Sequence, residues 1–280
     1  MINYSSATIF YPLLLLSLAI FGNFSGDQQP TPAKNQGDVT KPQASVLASI
    51  DFESGSFDGV KLSGRNQLIV PNPEGQGKVF LARVPSDDER SEIAFDRHLP
   101  ADYNWEGKTR WYAWSIYLPP DFKPSGKHTI LAQWHRWQAG MRDRFSWASG
   151  NPNTFAIDRN TGRYSISLSF QPDPEKQSRQ ARKQYVGHTP ESIVYQNDLG
   201  HWTRWSALVR WSKGADGSFI LYRNGQPVIS HDGPNYLNLP EGPYFKCGIY
   251  TGDPWEGEPS SVTAYFDDII VATGPIKLQP

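Results

Sequence analysis

The sequence predicts an all-β fold, two antiparallel sheets stacked as a jelly-roll sandwich, and three observations carry that prediction. Apolar residues recur with the period of two that a half-buried strand requires, Gly and Pro turn signals are frequent, and no long segment shows helical periodicity. Ten Trp and 13% aromatic residues in a chain of 280 supply a substantial core and leave aromatic side chains over for a surface. One large folded domain, residues 46–280, is expected.

The elements follow in chain order. Residues 1–26 read as a secretory signal: Ile9 to Phe21 is apolar, interrupted mainly by Tyr11, Pro12 and Ser17, and runs into small residues around Gly22 to Gly26. That core is shorter than the roughly 20 residues a membrane span needs, so a secreted, periplasmic or cell-surface protein without a span in its mature chain is expected. A membrane anchor of the same outward topology is the competing reading. Residues 27–45, rich in Pro, Gln, Lys, Gly and Asp, read as a disordered linker.

Past the linker, Tyr112, Trp114, Ile116 and Leu118 alternate before Pro119-Pro120 ends the run, and Tyr164, Ile166, Leu168 and Phe170 alternate with Ser165, Ser167 and Ser169. Asn224-Gly225, between Phe219–Tyr222 and Val228-Ile229, marks a hairpin, because both turn residues tolerate positive φ. Val262 to Val271 is a further alternating strand. Gln171 to Gly200 lacks a strand pattern and carries Lys176, Arg179, Arg182, Lys183 and His188. Loops of that length in compact domains are usually functional, so a basic flap over a groove is predicted there.

Charge and cysteine usage exclude several classes. A formal net charge of −1 provides no global field toward nucleic acid, and any polyanion must be met by a local patch. Cys247 is the sole cysteine, which rules out an internal disulfide; its alternation with Lys246 and Gly248 assigns it to the core. There is no His-x-x-His or Cys cluster for zinc and no Gly-x-Ser-x-Gly elbow for a serine hydrolase. Asp267-Asp268, adjacent and expected to face opposite ways, fails the geometry of a retaining glycosidase.

Three short motifs carry the chemistry. Arg90-Ser91-Glu92, Gln133-Trp134-His135 and Tyr244-Phe245-Lys246-Cys247-Gly248-Ile249-Tyr250 each place alternate residues on one face of a strand. Arg90 with Glu92, Gln133 with His135, and Lys246 with Tyr250 would thus share a surface. That set suits removal of a proton beside a carboxylate: Arg, Gln and His donors neutralise the charge, His135 accepts a proton near neutral pH, and Tyr250 acts as acid or base. Lys246 and Arg90 nearby are expected to favour the Tyr250 phenolate.

Taken together, the motifs resemble the signature of jelly-roll polysaccharide lyases of concanavalin A-like fold, a group that includes alginate lyases, glucuronan lyases and the heparin lyase I type. Trp111 to Pro119, Ile130 to His135, Gly200-His201-Trp202, Trp211-Ser212 and Asn224-Gly225 look closest to the heparin lyase I and glucuronan lyase group. The resemblance spans roughly Ile50 to Val271. It implies β-elimination on an anionic, uronate-containing polysaccharide; an endo-acting monomer is expected, and the chemistry requires no organic cofactor. It assigns Arg90 and Gln133 to the substrate carboxylate, His135 to the base or neutralising role, Tyr250 to the acid that in some relatives is also the base, and Lys246 to polyanion binding. Alginate lyases commonly carry Ile or Val between the Gln and His and a second Arg after the Glu; here stand Trp134 and Ile93-Ala94.

Further candidates surround this core. Glu92, Arg136, Arg179, Arg182 and Lys183 are candidate substrate contacts. Asp51 and Glu53 near the first strand, with Asp268 in the last, are candidate ligands for a structural Ca²⁺ if the terminal strands pair, a feature known among similar sandwiches; surface carboxylates explain them equally well. A noncatalytic lectin-like module binding acidic glycans is the alternative from a different class.

Overall fold

The structure, a computed structural model, describes residues 44–95, 106–125, 129–136, 153–173, 182–237 and 243–276. All lie within the unit Pro42–Pro280; the signal and nearly all of the linker predicted for residues 1–45 fall outside the described residues. No described helix is long and apolar enough to cross a membrane.

Two antiparallel sheets form the sandwich. One runs, edge to edge, β13 (Gln226–Asp232), β12 (Ser218–Arg223), β11 (Trp202–Arg210), β6 (Thr109–Tyr117), β15 (Ser261–Ala272), β4 (Lys78–Pro85) and β3 (Gln67–Pro71), with β1 (Val46–Ile50) also pairing to β15. The other runs β10 (Lys183–His188), β9 (Tyr164–Phe170), β8 (Asn153–Ile157), β7 (Thr129–Arg136), β14 (Pro243–Tyr250), β5 (Arg90–Ala94) and β2 (Lys61–Gly64). We call them the eight- and seven-stranded sheets.

The inner faces meet in an aromatic core that fixes which residues face out. Trp134 of β7 is fully buried, edge-on to Tyr112 of β6 at 5.6 Å and to Phe219 of β12 at 5.2 Å. Burying a large apolar side chain contributes about 1.5–3 kcal/mol, so the register of β7 is firmly set, and its neighbours Gln133 and His135 must point outward. Cys247 and Ile249 of β14 and Ile93 of β5 are likewise fully buried. Burial raises the Cys247 thiol pKa well above its ordinary value, consistent with a core role.

The predicted strands at Tyr112, Tyr164 and Val262 are present, and Asn224-Gly225 turns the β12–β13 hairpin with φ of 50° and 79°. Two expectations change. The run from Gln171 to Gly200 contains a strand, β10, and a 3₁₀ turn at Tyr195–Asp198; β10 is an edge strand whose polar, partly exposed residues hide the alternation. Buried Asp198 in that turn accepts from Tyr164 Oη at 2.7 Å and pairs with Arg223.

The second change concerns Asp267 and Asp268. Strand β15 pairs with β4 from Ser261 to Phe266 and with β1 from Ile269 onward. The pairing with β6 slips where the partner changes, between Asp267 and Ile270, and Asp268 takes a φ of 49°. This bulge cancels the alternation expected of adjacent residues, so both carboxylates line the same groove on the outer face.

Candidate active site

The outer face of the seven-stranded sheet is read from its register. Val186, Ser167, Thr154, Gln133, Lys246, Ala94 and Lys61 are successive cross-strand partners from β10 to β2, so their side chains share one face. On the same face His135 is opposite Tyr244, Glu92 opposite Gly248, and Arg90 opposite Tyr250. The three motifs, far apart in sequence, thus come together on the adjacent strands β7, β14 and β5.

Glu92 organises this cluster. Though on the outer face, it is only 1% exposed; its carboxylate accepts a hydrogen bond from Gln133 Nε2 and pairs with Lys246 Nζ, with Arg90 Nη1 at 3.8 Å. Gln133 and Glu92 stand on strands either side of β14, roughly 10 Å apart, and their side chains meet across it. Gly248 is what allows β14 to fit: its φ is +136°, and a Cβ there would lie 2.3 Å from the Ser91 carbonyl oxygen. A buried carboxylate is tolerated only with its partners in place, so Glu92 locks the Gln133 amide and the Lys246 ammonium into fixed positions.

On either side stand the groups able to move protons. The Arg90 guanidinium lies 4.4 Å from the Tyr250 ring centroid, and its Nε and Nη2 bond Glu89 Oε1 at 2.9 and 2.7 Å. Burial alone would lower the Arg90 pKa, but Glu92 and Glu89 hold it above its ordinary value. The His135 ring packs 5.4 Å from that of Tyr244.

Tyr250 departs from expectation. Its pKa is raised, by burial first and then by Glu89, Glu92 and Asp253, which together outweigh the lowering effect of Arg90. The phenol rather than the phenolate is the resting form at neutral pH, which suits it to donate a proton.

The remaining candidates fall elsewhere. Lys183 begins β10, three strands from β7, and by register lies on the opposite face from Val186 and Gln133. Arg182 immediately precedes it. Arg136 ends β7, and Arg179 falls outside the described residues. The terminal strands do pair, Ile50 opposite Ile269, and among the described residues no group of three Asp, Glu, His or Cys side chains is placed to hold a metal ion. Asp268 pairs with Arg204 at 3.3 Å, and Glu53 accepts from the Lys78 backbone N–H at 3.2 Å. Sequence reasoning overlooked Glu89 and Tyr244; the period of two that selects Lys246 and Tyr250 also selects Tyr244.

A sandwich whose outer sheet face carries this fixed row of amide, ammonium, guanidinium, imidazole and phenol groups defines the class, the jelly-roll polysaccharide lyases. The polysaccharide lyase family model matches residues 51–270, and the chain belongs to that family. Among solved structures it is similar to an endo-β-1,4-glucuronan lyase from the fungus Trichoderma reesei, at 15% identity and a TM-score of 0.63 over 82% of this chain and 96% of that one. The alginate lyase vAL-1 from a Chlorella virus matches at 14% identity and a TM-score of 0.52 over 81% and 99% of the two chains. The receptor binding domain of botulinum neurotoxin C/D mosaic serotype matches at 14% and 0.52 over 83% and 48%, a likeness of fold. A search of curated protein sequences returned no match.

Proposed function

We propose that this polysaccharide lyase is an exported, monomeric, endo-acting enzyme that cleaves a uronate-containing polymer, glucuronan-like in the first instance, by β-elimination. The observation that carries the reading is the Glu92 clamp, which fixes Gln133 and Lys246 between the Arg90–Tyr250 pair and His135. The C5 proton of a uronate is weakly acidic because its loss adds charge beside a carboxylate. Gln133, with Lys246 and Arg90 close by, supplies donors that neutralise that carboxylate and stabilise the enolate-like state.

His135 then accepts the C5 proton, the C5–H electrons become the C4–C5 double bond, and the C4–O bond breaks as Tyr250 protonates the departing oxygen. This division of roles follows from the raised Tyr250 pKa and from the suitability of imidazole as a base near neutrality. Glucuronan is favoured over alginate because Trp134 and Ile93-Ala94 depart from the alginate lyase pattern. Export rests on the apolar run Ile9 to Phe21.

The test is ultraviolet absorbance of the unsaturated product as the purified protein meets glucuronan, alginate, heparin, heparan sulfate and ulvan. A rise with glucuronan that Tyr250→Phe abolishes is expected. A rise with alginate instead would reassign the substrate, and silence across the panel from folded protein would overturn the elimination reading.

A further inference from the structure

The eight-stranded sheet also carries a groove on its outer face, about 790 Å³ in volume, remote in register from the motifs above. Its floor is Ser115 of β6 and Ser206 of β11, each 6% exposed. Both serines line the groove between its aromatic ends. A serine hydroxyl that faces such a groove can both donate to and accept from a ligand.

Aromatic rings stand at both ends. Trp111 and Tyr222 pack at 5.6 Å at one end, and Trp202 packs on Tyr117 at 5.7 Å at the other. Trp111 and Tyr117 are six residues apart on β6, which at strand rise separates the two platforms by roughly 20 Å. Unlike Trp114, Trp134, Trp205 and Trp211, which are fully buried in the core, Trp111 and Trp202 are partly exposed. Trp202 is held in place, its Nε1 donating to Asn72 Oδ1 at 3.1 Å. Fixed rings offer flat apolar faces to the C–H faces of sugar rings at little entropic cost.

The charges choose among sugars. Arg204 is the one cation among the lining residues, and it is paired with Asp268 at 3.3 Å. Asp267 adds a second acid to the lining. A polyuronate would meet repulsion here and no uncommitted cation. Hydroxyls of an uncharged sugar would find donors in Arg204 and the serines and acceptors in the two aspartates.

We propose that this groove is a second, noncatalytic carbohydrate site that binds an uncharged oligosaccharide, on the opposite sheet from the lyase motifs. It would hold the enzyme on a neutral glycan while the other face acts on a charged one, and it stands independently of which uronan is cleaved.

Calorimetric titration of the purified protein with cello-, xylo-, manno- and laminarihexaose tests it. Binding of at least one of these is expected, weakened about tenfold or more by Trp202→Ala and by Ser206→Leu, which fills the floor without removing an aromatic ring. Turnover of a short soluble uronate substrate should be unchanged in both variants. No binding of any of the four at millimolar concentration, binding that survives Ser206→Leu in folded protein, or displacement of the bound hexaose by a uronate oligomer would each overturn the proposal.

Discussion

The two outer faces of this sandwich share one core and treat their carboxylates in opposite ways. On the seven-stranded face Glu92 is sunk beneath the surface at 1% side-chain exposure and paired with Lys246 at 4%. On the eight-stranded face Asp268 is 45% exposed and its partner Arg204 35%. In the first case the acid is an internal counterion, committed to a buried ammonium and a buried amide. In the second the acids themselves face the groove. Depth of the carboxylate, more than count of charges, thus separates the two faces.

The largest effect is expected from breaking the buried side. Glu92→Ala leaves Lys246 buried without its counterion and Gln133 unheld, so urea unfolding should report a loss of about 3–5 kcal/mol. Turnover should fall roughly a hundredfold or more as the carboxylate-neutralising donors lose their fixed positions. A loss below about 1 kcal/mol would mean that Glu92 is no clamp. Tyr250→Phe keeps the ring beneath Arg90 and removes only the proton, so turnover should fall by about 10²–10⁴ with unfolding unchanged. With its pKa raised, the alkaline limb of the wild-type rate profile should lie above the ordinary tyrosine range, where the phenol finally ionises.

Smaller effects belong to the open face. Asp267 is pushed up to about 7 by burial and by Asp268, Glu53 and Asp51, against a lowering hydrogen bond from the Asp268 N–H. Between about pH 4 and pH 7 the folded chain keeps a proton that the unfolded chain has lost, so stability falls as pH rises through that window. Asp267→Asn should therefore stabilise by on the order of 1 kcal/mol at about pH 8 and by nearly nothing at about pH 4, the figure being set low for a partly exposed group. Thermal melts at the two pH values check the sign; a larger gain at low pH would refute it. Arg204→Met should cost least, within about 1 kcal/mol, because its ion pair is solvated. A cost as large as that of Glu92→Ala would erase the contrast between the faces.

What was legible in the sequence was local. Alternation marked the strands at Tyr112, Tyr164 and Val262, Asn224-Gly225 marked its hairpin, and parity within each motif put Arg90, Gln133 and Lys246 on outward positions. The neighbour relation of β7, β14 and β5 was not readable from spacing, because strands so distant in sequence are paired by the whole topology; the family resemblance implied it. Three outcomes depended on such long-range contacts. Glu92 is buried together with Gln133 and Lys246, its partners from two other strands, Tyr250 holds its proton because Glu89 and Asp253 join burial against Arg90, and Asp267-Asp268 share a groove because β15 changes partner there. Strand β10 escaped notice for a local reason: an edge strand need not bury alternate residues.

The strand order also governs when the enzyme can exist during synthesis. Strand β14 lies between β7 and β5, and β15 between β6 and β4; each is the only described bridge in its sheet between the early strands β1–β5 and the middle strands β6–β13. A nascent chain halted before Pro243 holds Arg90 and Glu92 on one fragment and Gln133 and His135 on another, with no strand to join them. Pairing over such sequence separations is slow, and here it is deferred until nearly the whole domain has left the ribosome. Until β14 arrives the site stays unassembled and the chain inert toward its substrate.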